Sequence, residues 1–158
     1  MASIDDFKSN LIGGGARANQ YRVIMTTPPA ITTLLDINRT AFLVKATSLP
    51  GQTISEIEVQ FRGRQLYLAG DRTFETWTTT VINDTDFMVR NAMERWMSGI
   101  NDLEENTGLT NVSDYTADIR VEQLDRDDNI LKSYVLRNCW PTVIAPIELS
   151  YDTVSDIE

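Results

Sequence analysis

The stretch that decides the fold is Ala69-Gly70-Asp71-Arg72-Thr73-Phe74-Glu75-Thr76-Trp77-Thr78-Thr79-Thr80-Val81-Ile82-Asn83. Its Gly70-Asp71 pair predicts a tight turn that leads into a strand. In that strand Trp77, Thr79 and Val81 share one face, because side chains alternate along a pleated strand. Threonine is β-branched and favours extended backbone. The stretch holds no chemically reactive side chain, so it predicts a structural role.

Alternating apolar residues and turn residues predict more strands on both sides of this stretch. Pro50-Gly51 and Arg62-Gly63 are typical of turns, and residues 125–129 (Asp-Arg-Asp-Asp-Asn) predict a hairpin turn because these residues tolerate positive φ. The predicted strands, besides the threonine-rich one, cover residues 21–25, 41–46, 54–61, 65–69, 119–124, 131–137 and 147–151.

One long helix is predicted from about Asp86 to Gly99. Its apolar residues fall on one stripe with helical spacing: Val89, Ala92, Met93, Trp96, Met97 and Ile100. Asp84 or Thr85 is suited to cap its first turn. Packing of the stripe into the core is the simpler interpretation, and contact of its outer face with a neighbour is the alternative. The sequence therefore predicts a mainly β fold, a small antiparallel β-barrel or sandwich with one flanking helix.

Residues 1–20 are predicted to form an N-terminal arm, and residues 21–158 a single β-barrel domain. In the arm, the isolated apolar residues Phe7, Leu11 and Ile12 precede Gly13-Gly14-Gly15, which is too flexible for a helix or strand interior. A frayed terminus is the simpler interpretation. A segment that docks onto another surface is the alternative. Ile31, Leu34, Leu35 and Ile37 predict a short packed turn in the loop that follows the first strand.

Composition excludes several classes of function. The 158 residues carry a net charge of −9, which disfavours binding of nucleic acid through the overall field. Histidine is absent and Cys139 is the single cysteine, so histidine-based catalysis and transition-metal sites are not expected. No apolar run approaches the roughly 20 residues that span a bilayer. No contact with a membrane is therefore expected.

The candidate reactive groups have simpler explanations. Asp84 and Asp86 suit the start of a helix, and Asp71 suits a turn, so acid–base chemistry is not needed to explain them. The acidic residues of 125–129 lack the glycine and the distal glutamate of a calcium-binding loop. A buried inert thiol is the expected state of Cys139. No catalytic, cofactor or metal site is predicted, and the chain is not expected to be an enzyme.

The chain resembles the tail tube proteins of T-even-like contractile-tailed bacteriophages. The combination of K-A-T-x-L-P with A-G-D-R-T-F-x-x-W is specific to that family. In this chain Ala18 stands where the family usually has proline, and the family's final apolar strand is expected to be missing after residue 158. The matching segments occur in the family's order at residues 14–21, 45–50, 69–77, 81–84 and 140–142.

The resemblance implies a small β-barrel that assembles into hexameric rings, whose sheets join into an inner cylinder. The rings stack into a tube inside a contractile sheath, and phage DNA passes through the tube without specific binding. Expected partners are further copies of the chain, the sheath protein, and the baseplate and tail terminator proteins. The expected location is the virion, after synthesis in the host cytoplasm, and no cofactor is expected.

Two groups of residues are candidates for these roles. The strands around 54–61 and 74–82 are expected to pair between subunits, and the arm and residues 45–53 to make contacts between rings. The candidate interface residues are Phe7, Leu11, Arg17, Lys45, Leu49, Pro50, Arg72 and Trp77. A lumen lined by carboxylates repels the phosphates of DNA, so it does not hold a sliding duplex. The candidate lumen-facing residues are Glu56, Glu58 and Glu75.

Two alternatives stay open from the sequence. A baseplate protein that initiates the tube has the same fold, although such proteins usually carry extra domains. A monomeric β-barrel that binds a small apolar ligand also fits the composition and the strand count. Assembly of the purified chain distinguishes a tube subunit from a monomeric ligand-binding barrel.

Overall fold

The computed structural model describes residues 3–10, 15–31 and 37–151. Its strands form three separate antiparallel sheets, so the prediction of a mainly β antiparallel fold is confirmed, and the described strands do not close into a barrel. Sheet A has the order β1-β6-β7, sheet B pairs β2 with β5, and sheet C pairs β3 with β4. The strands are β1 Tyr21–Met25, β2 Val44–Thr47, β3 Gln52–Phe61, β4 Arg64–Phe74, β5 Thr79–Val81, β6 Ala117–Leu124 and β7 Ile130–Cys139.

Sheet A carries the main core on one of its faces. Val23 of β1 lies opposite Val121 of β6, and both are fully buried. Met25 and Val44 complete this buried cluster, on which half-buried apolar side chains such as Leu136 pack. The alternation of β1 and β6 places Val23, Met25 and Val121 on one face, as the two-residue period of a strand requires.

Sheet B is joined to this core by the end of the threonine-rich stretch. Trp77 and Val81 both pack on the main core, although Trp77 precedes β5 and does not belong to the strand. The indole N–H of Trp77 donates a hydrogen bond of 2.8 Å to the carbonyl oxygen of Ser48. Residues 75–78 have no strand structure, so the threonine-rich strand is shorter than predicted.

Sheet C is a hairpin in which β4 runs without interruption through Gly70-Asp71. The turn predicted at that pair is therefore wrong. The register shifts between Ile54 and Glu56, so Gly70 and Asp71 together face Ser55 in a β-bulge. A Cβ atom on Gly70 would lie 2.6 Å from the hydroxyl oxygen of Ser55, which explains why glycine stands at this position. The predicted turn at Arg62-Gly63 is confirmed, with positive φ values of 48° and 77°.

Helix α3, Met88–Ile100, confirms the predicted long helix to within two residues at its start. Val89, Ala92 and Trp96 are buried, so its apolar stripe packs into the core. The predicted cap is wrong: the N-cap is Phe87, and no side chain makes a capping hydrogen bond. The carboxylate of Asp84 instead pairs with Arg39 and accepts the backbone N–H of Thr85.

Three short helices are additional to the prediction: α1 Ile4–Asn10, α2 Ile37–Leu43 and α4 Val112–Tyr115. Because α2 extends to Leu43, the predicted strand 41–46 is wrong in its first three residues. The strand predicted over 147–151 is also wrong, since residues 141–150 have no regular structure. These residues alternate like a strand, but no strand in the described ranges pairs with them. The predictions for Leu11, Ile12, Leu34 and Leu35 fall outside the described residues.

Candidate assembly surfaces

The β3–β4 hairpin has two chemically different faces between its bulge and its tip. The register pairs Ile57 with Leu68 and Val59 with Leu66, and Phe61 continues the same face. The other face alternates with it and is mainly polar and acidic: Glu56, Glu58, Gln60, Gln65, Tyr67 and Ala69. The hairpin is therefore an amphipathic two-stranded sheet.

The apolar face of this hairpin is uncovered. Its side chains range from 39% exposed at Val59 to 63% exposed at Phe61, and every residue of β3 is exposed. A two-stranded sheet alone is at best marginally stable in water. A contiguous exposed apolar face of this kind marks an interaction site. This hairpin face is the most prominent candidate for contact with another molecule.

A second apolar surface is a groove of about 1110 Å³ beside sheet A. Helix α3 and β7 contribute to its wall, together with the irregular segment 140–145. Trp77 and Trp140 line the groove, and the Trp140 ring meets Tyr115 edge to face at 6.3 Å. Val143, in the same segment, is 81% exposed. The groove therefore offers aromatic and aliphatic surface to a partner.

The predicted interface residues occupy different parts of the structure. Phe7 is exposed on α1, and Lys45 and Leu49 are exposed on β2 and in the loop after it. Arg72 is exposed on β4 opposite Ile54. Their role in contacts between subunits stays a prediction.

The other three described interface candidates make contacts within the chain. The carbonyl oxygen of Arg17 accepts a hydrogen bond of 2.6 Å from the Gln123 amide, while the Arg17 side chain is exposed. Pro50 and Trp77 line the groove, and Trp77 also packs on the main core. Trp77 therefore has a role inside the monomer, whatever it contacts in an assembly.

The three candidate lumen residues divide into two groups. Glu56 and Glu58 lie on the same polar face of the hairpin, and Glu58 accepts a hydrogen bond of 2.6 Å from the Gln65 amide. Glu75 lies beyond the end of β4, with its carboxylate over Gly51. All three side chains are exposed, so their charges are available to a solvent-filled passage.

The carboxylates considered as reactive groups are not gathered into one site. Asp84 and Asp86 both contact Arg39, whereas Asp71 lies in the hairpin bulge. Within the described ranges, no group of three or more acidic or cysteine side chains is placed to hold a metal ion. Burial, and to a lesser degree the charge of Asp118, raises the pKa of the half-buried Cys139 thiol.

Comparison with known proteins identifies the class of molecule to which these surfaces belong. A family model described as "Phage tail tube protein" matches residues 16–158. The chain belongs to the phage tail tube protein family. It is 32% identical over 151 residues to the "Tail tube protein" of Serratia phage KSP90, a match that covers 94% of this chain and 85% of the relative.

A second relative agrees with this family. The chain is 34% identical over 119 residues to the "Tail tube protein gp19" of Enterobacteria phage T4, covering 74% of this chain and 72% of the relative. The chain is therefore a structural subunit of a phage tail tube and a component of the virion. No helix in the described ranges is both long and apolar enough to cross a membrane.

For a tail tube subunit, the uncovered amphipathic hairpin is the main candidate for an assembly surface. The prediction from sequence named the strand 54–61 but none of the apolar side chains on it as interface residues. Leu66 and Leu68 were missed as well. The alternation of apolar and polar residues in both strands was the available signal, but alternation alone does not tell which face another part of the same chain covers.

Proposed function

We propose that this tail tube subunit assembles into hexameric rings, which stack to form the conduit for DNA ejection. The main support is the β3–β4 hairpin, because its apolar face has no partner within the described chain and its strands have unpaired edges. Identical copies are the natural partners of such a surface in a structure built from one repeated subunit. The tail sheath, baseplate and terminator proteins are proposed as further partners, and the host cytoplasm as the place of synthesis.

Sheet edges give a second reason for assembly. In sheet A, β6 lies between β1 and β7, so β1 and β7 each have one edge with no strand beside it in the described chain. Unpaired edges present backbone N–H and C=O groups that pair readily with another chain. Pairing of these strands across subunits would extend the separate sheets into the cylinder that a tube requires.

The polar face of the hairpin suits the wall of a DNA passage. Glu56 and Glu58 stand on the face opposite the apolar side chains. If the apolar face is covered by protein, the acidic face is left to the solvent in the lumen. Carboxylates repel phosphate over about 8 Å at physiological salt, so the wall would not retain a sliding duplex.

Negative-stain microscopy and sedimentation velocity of the concentrated protein test the proposed assembly. Stacked rings or tubes of uniform diameter support it. A chain that sediments as a monomer at all concentrations, with no rings in the images, contradicts it.

Retention of DNA tests the proposed lumen. Preformed tubes are incubated with short duplex DNA at 150 mM salt and then pelleted, and the DNA in the pellet is measured. The pellet of wild-type tubes is expected to contain no more DNA than a control with serum albumin in place of the tubes. Replacement of Glu56 and Glu58 by lysine is expected to cause retention that salt reverses, and equal retention by both tubes contradicts the assignment of these residues to the lumen.

A monomeric protein that binds a small apolar ligand is the second candidate, because the groove of about 1110 Å³ carries aromatic side chains. Saturable binding of an apolar dye to a strict monomer would favour it. Loss of dye binding when rings form would instead indicate that subunits cover the groove. The baseplate initiator is distinguished by growth, since an initiator forms single rings and does not elongate.

A further inference from the structure

The tip of the β3–β4 hairpin is basic in an acidic protein. Arg62 and Arg64 flank Gly63 at the turn, while the chain as a whole carries a net charge of −9. The Arg62 guanidinium lies 5.3 Å from the centre of the Phe61 ring, which ends the apolar face. Neither arginine forms an ion pair with any carboxylate in the described part of the chain.

The β6–β7 turn has the opposite charge. Asp125, Asp127 and Asp128 stand there beside a single arginine, Arg126. The turn is fixed by its backbone, since the Asp125 N–H donates to the carbonyl oxygen of Asn129 at 2.8 Å. In the described ranges, none of these carboxylates forms an ion pair.

The base of the hairpin lies at the end of sheet A away from the β6–β7 turn. The β6–β7 turn closes one end of sheet A, next to the pair Leu124 and Ile130. The base of the hairpin, at Gln52 and Phe74, lines the groove together with Cys139, which lies at the other end of β7. Each residue of β3 is exposed, so the described part of the chain leaves the hairpin uncovered.

We propose that Arg62 and Arg64 of one subunit bind the acidic β6–β7 turn of a second copy, so that subunits join head to tail. This rests on the proposed assembly and names the surface that the hairpin tip meets. Complementary charges on two different surfaces make a heterologous contact, which propagates along an axis when it does not close into a ring. Two basic tips or two acidic turns repel each other, so the charges also fix the direction in which copies add.

Charge reversal tests this contact. Arg62→Asp with Arg64→Glu reverses the tip, and aspartate tolerates the positive φ at position 62. Asp125→Lys with Asp127→Lys reverses the turn and leaves Asp128, which has a φ of 58°, unchanged. Each double variant is expected to raise the critical concentration for assembly roughly tenfold or more, because attraction becomes repulsion. The matched control, Arg95→Glu with Thr107→Glu and Thr110→Glu at exposed positions, changes the net charge as much as the tip reversal and is expected to assemble like the wild type.

Combining the tip reversal with the turn reversal tests whether these two surfaces bind each other. A chain with both reversals, and an equimolar mixture of the two double variants, are expected to assemble within about threefold of the wild-type critical concentration. At 1 M salt, where the screening length is about 3 Å, the wild type and the variants are expected to converge.

The outcomes separate the inference from the proposed function. If the wild type forms tubes and the reversed tip assembles equally well, or if the combined chain is no better than the single reversals, the pairing is refuted and the tube function stands. If the wild type forms no rings or tubes, both are refuted. Circular dichroism and the melting temperature of each variant show that an assembly defect is not a folding defect.

Discussion

Replacement of Leu66 by threonine tests whether the apolar face of the hairpin is an assembly surface. Leu66 lies opposite Val59 and is 53% exposed in the isolated chain, so a covering neighbour would remove about half of its surface from water. Full burial of a leucine side chain stabilises by about 1.5–3 kcal/mol, which leaves about 1.2 kcal/mol for the contact between subunits. That free energy corresponds to a roughly eightfold rise in the critical concentration of Leu66→Thr.

The assay is pelleting of assembled protein over a dilution series, with the melting temperature of the unassembled chain measured in parallel. Threonine is β-branched and favours extended backbone, so the monomer is expected to melt within a few degrees of the wild type. Tyr67→Thr is the matched control: Tyr67 is 55% exposed, but it lies on the polar face. An unchanged critical concentration for Leu66→Thr, or an equal rise for Tyr67→Thr, would refute the assignment of the apolar face to subunit contact.

Three further predictions concern the subunit itself. Trp96 is 2% exposed, so Trp96→Ala is expected to reduce the free energy of unfolding by about 3–5 kcal/mol in a denaturant titration, and Trp96→Phe by clearly less. Gly70→Ala places a Cβ atom 2.6 Å from the Ser55 hydroxyl, and it is expected to destabilise the hairpin by about 1–3 kcal/mol; unchanged amide exchange in β3 and β4 would contradict this. Because burial and then the charge of Asp118 raise the pKa of Cys139, alkylation at pH 7.5 is expected to be slower than for free cysteine, to accelerate as the pH rises, and to be faster in Asp118→Asn.

The sequence was most informative where one periodicity extended over many residues. The stripe from Val89 to Ile100 fixed helix α3, because 13 residues with one apolar face have few other ways to bury that face. The hairpin turn at 125–129 and the turn at Arg62-Gly63 were also predictable, since each needs residues that tolerate positive φ. The short elements were less predictable. Alternation of apolar residues predicted a strand from residue 41, but the backbone is helical up to Leu43, where α2 ends.

The candidate surfaces could be predicted only in part. Glu56 and Glu58 share one strand face, as alternate residues must, while their place in the lumen stays a prediction. Trp77 was predicted as an interface residue, but its packing on the main core depends on β5, β1 and β6 meeting in space. Sequence alone gave no measure of how much of the hairpin the rest of the chain covers.

The amino-acid sequence by itself determined the β class, the one long helix, the lack of histidine chemistry and, through its motifs, the resemblance to tail tube proteins. Those properties depend on neighbours in the chain, on composition and on motifs that can be read along it. Three features became visible only in the folded chain: the bulge of β4 at Gly70, the exposure of the hairpin, and the distance of the hairpin base from the acidic β6–β7 turn along sheet A. The reason is physical: exposure and separation depend on residues far apart in the chain, and local patterns carry no information about those distances.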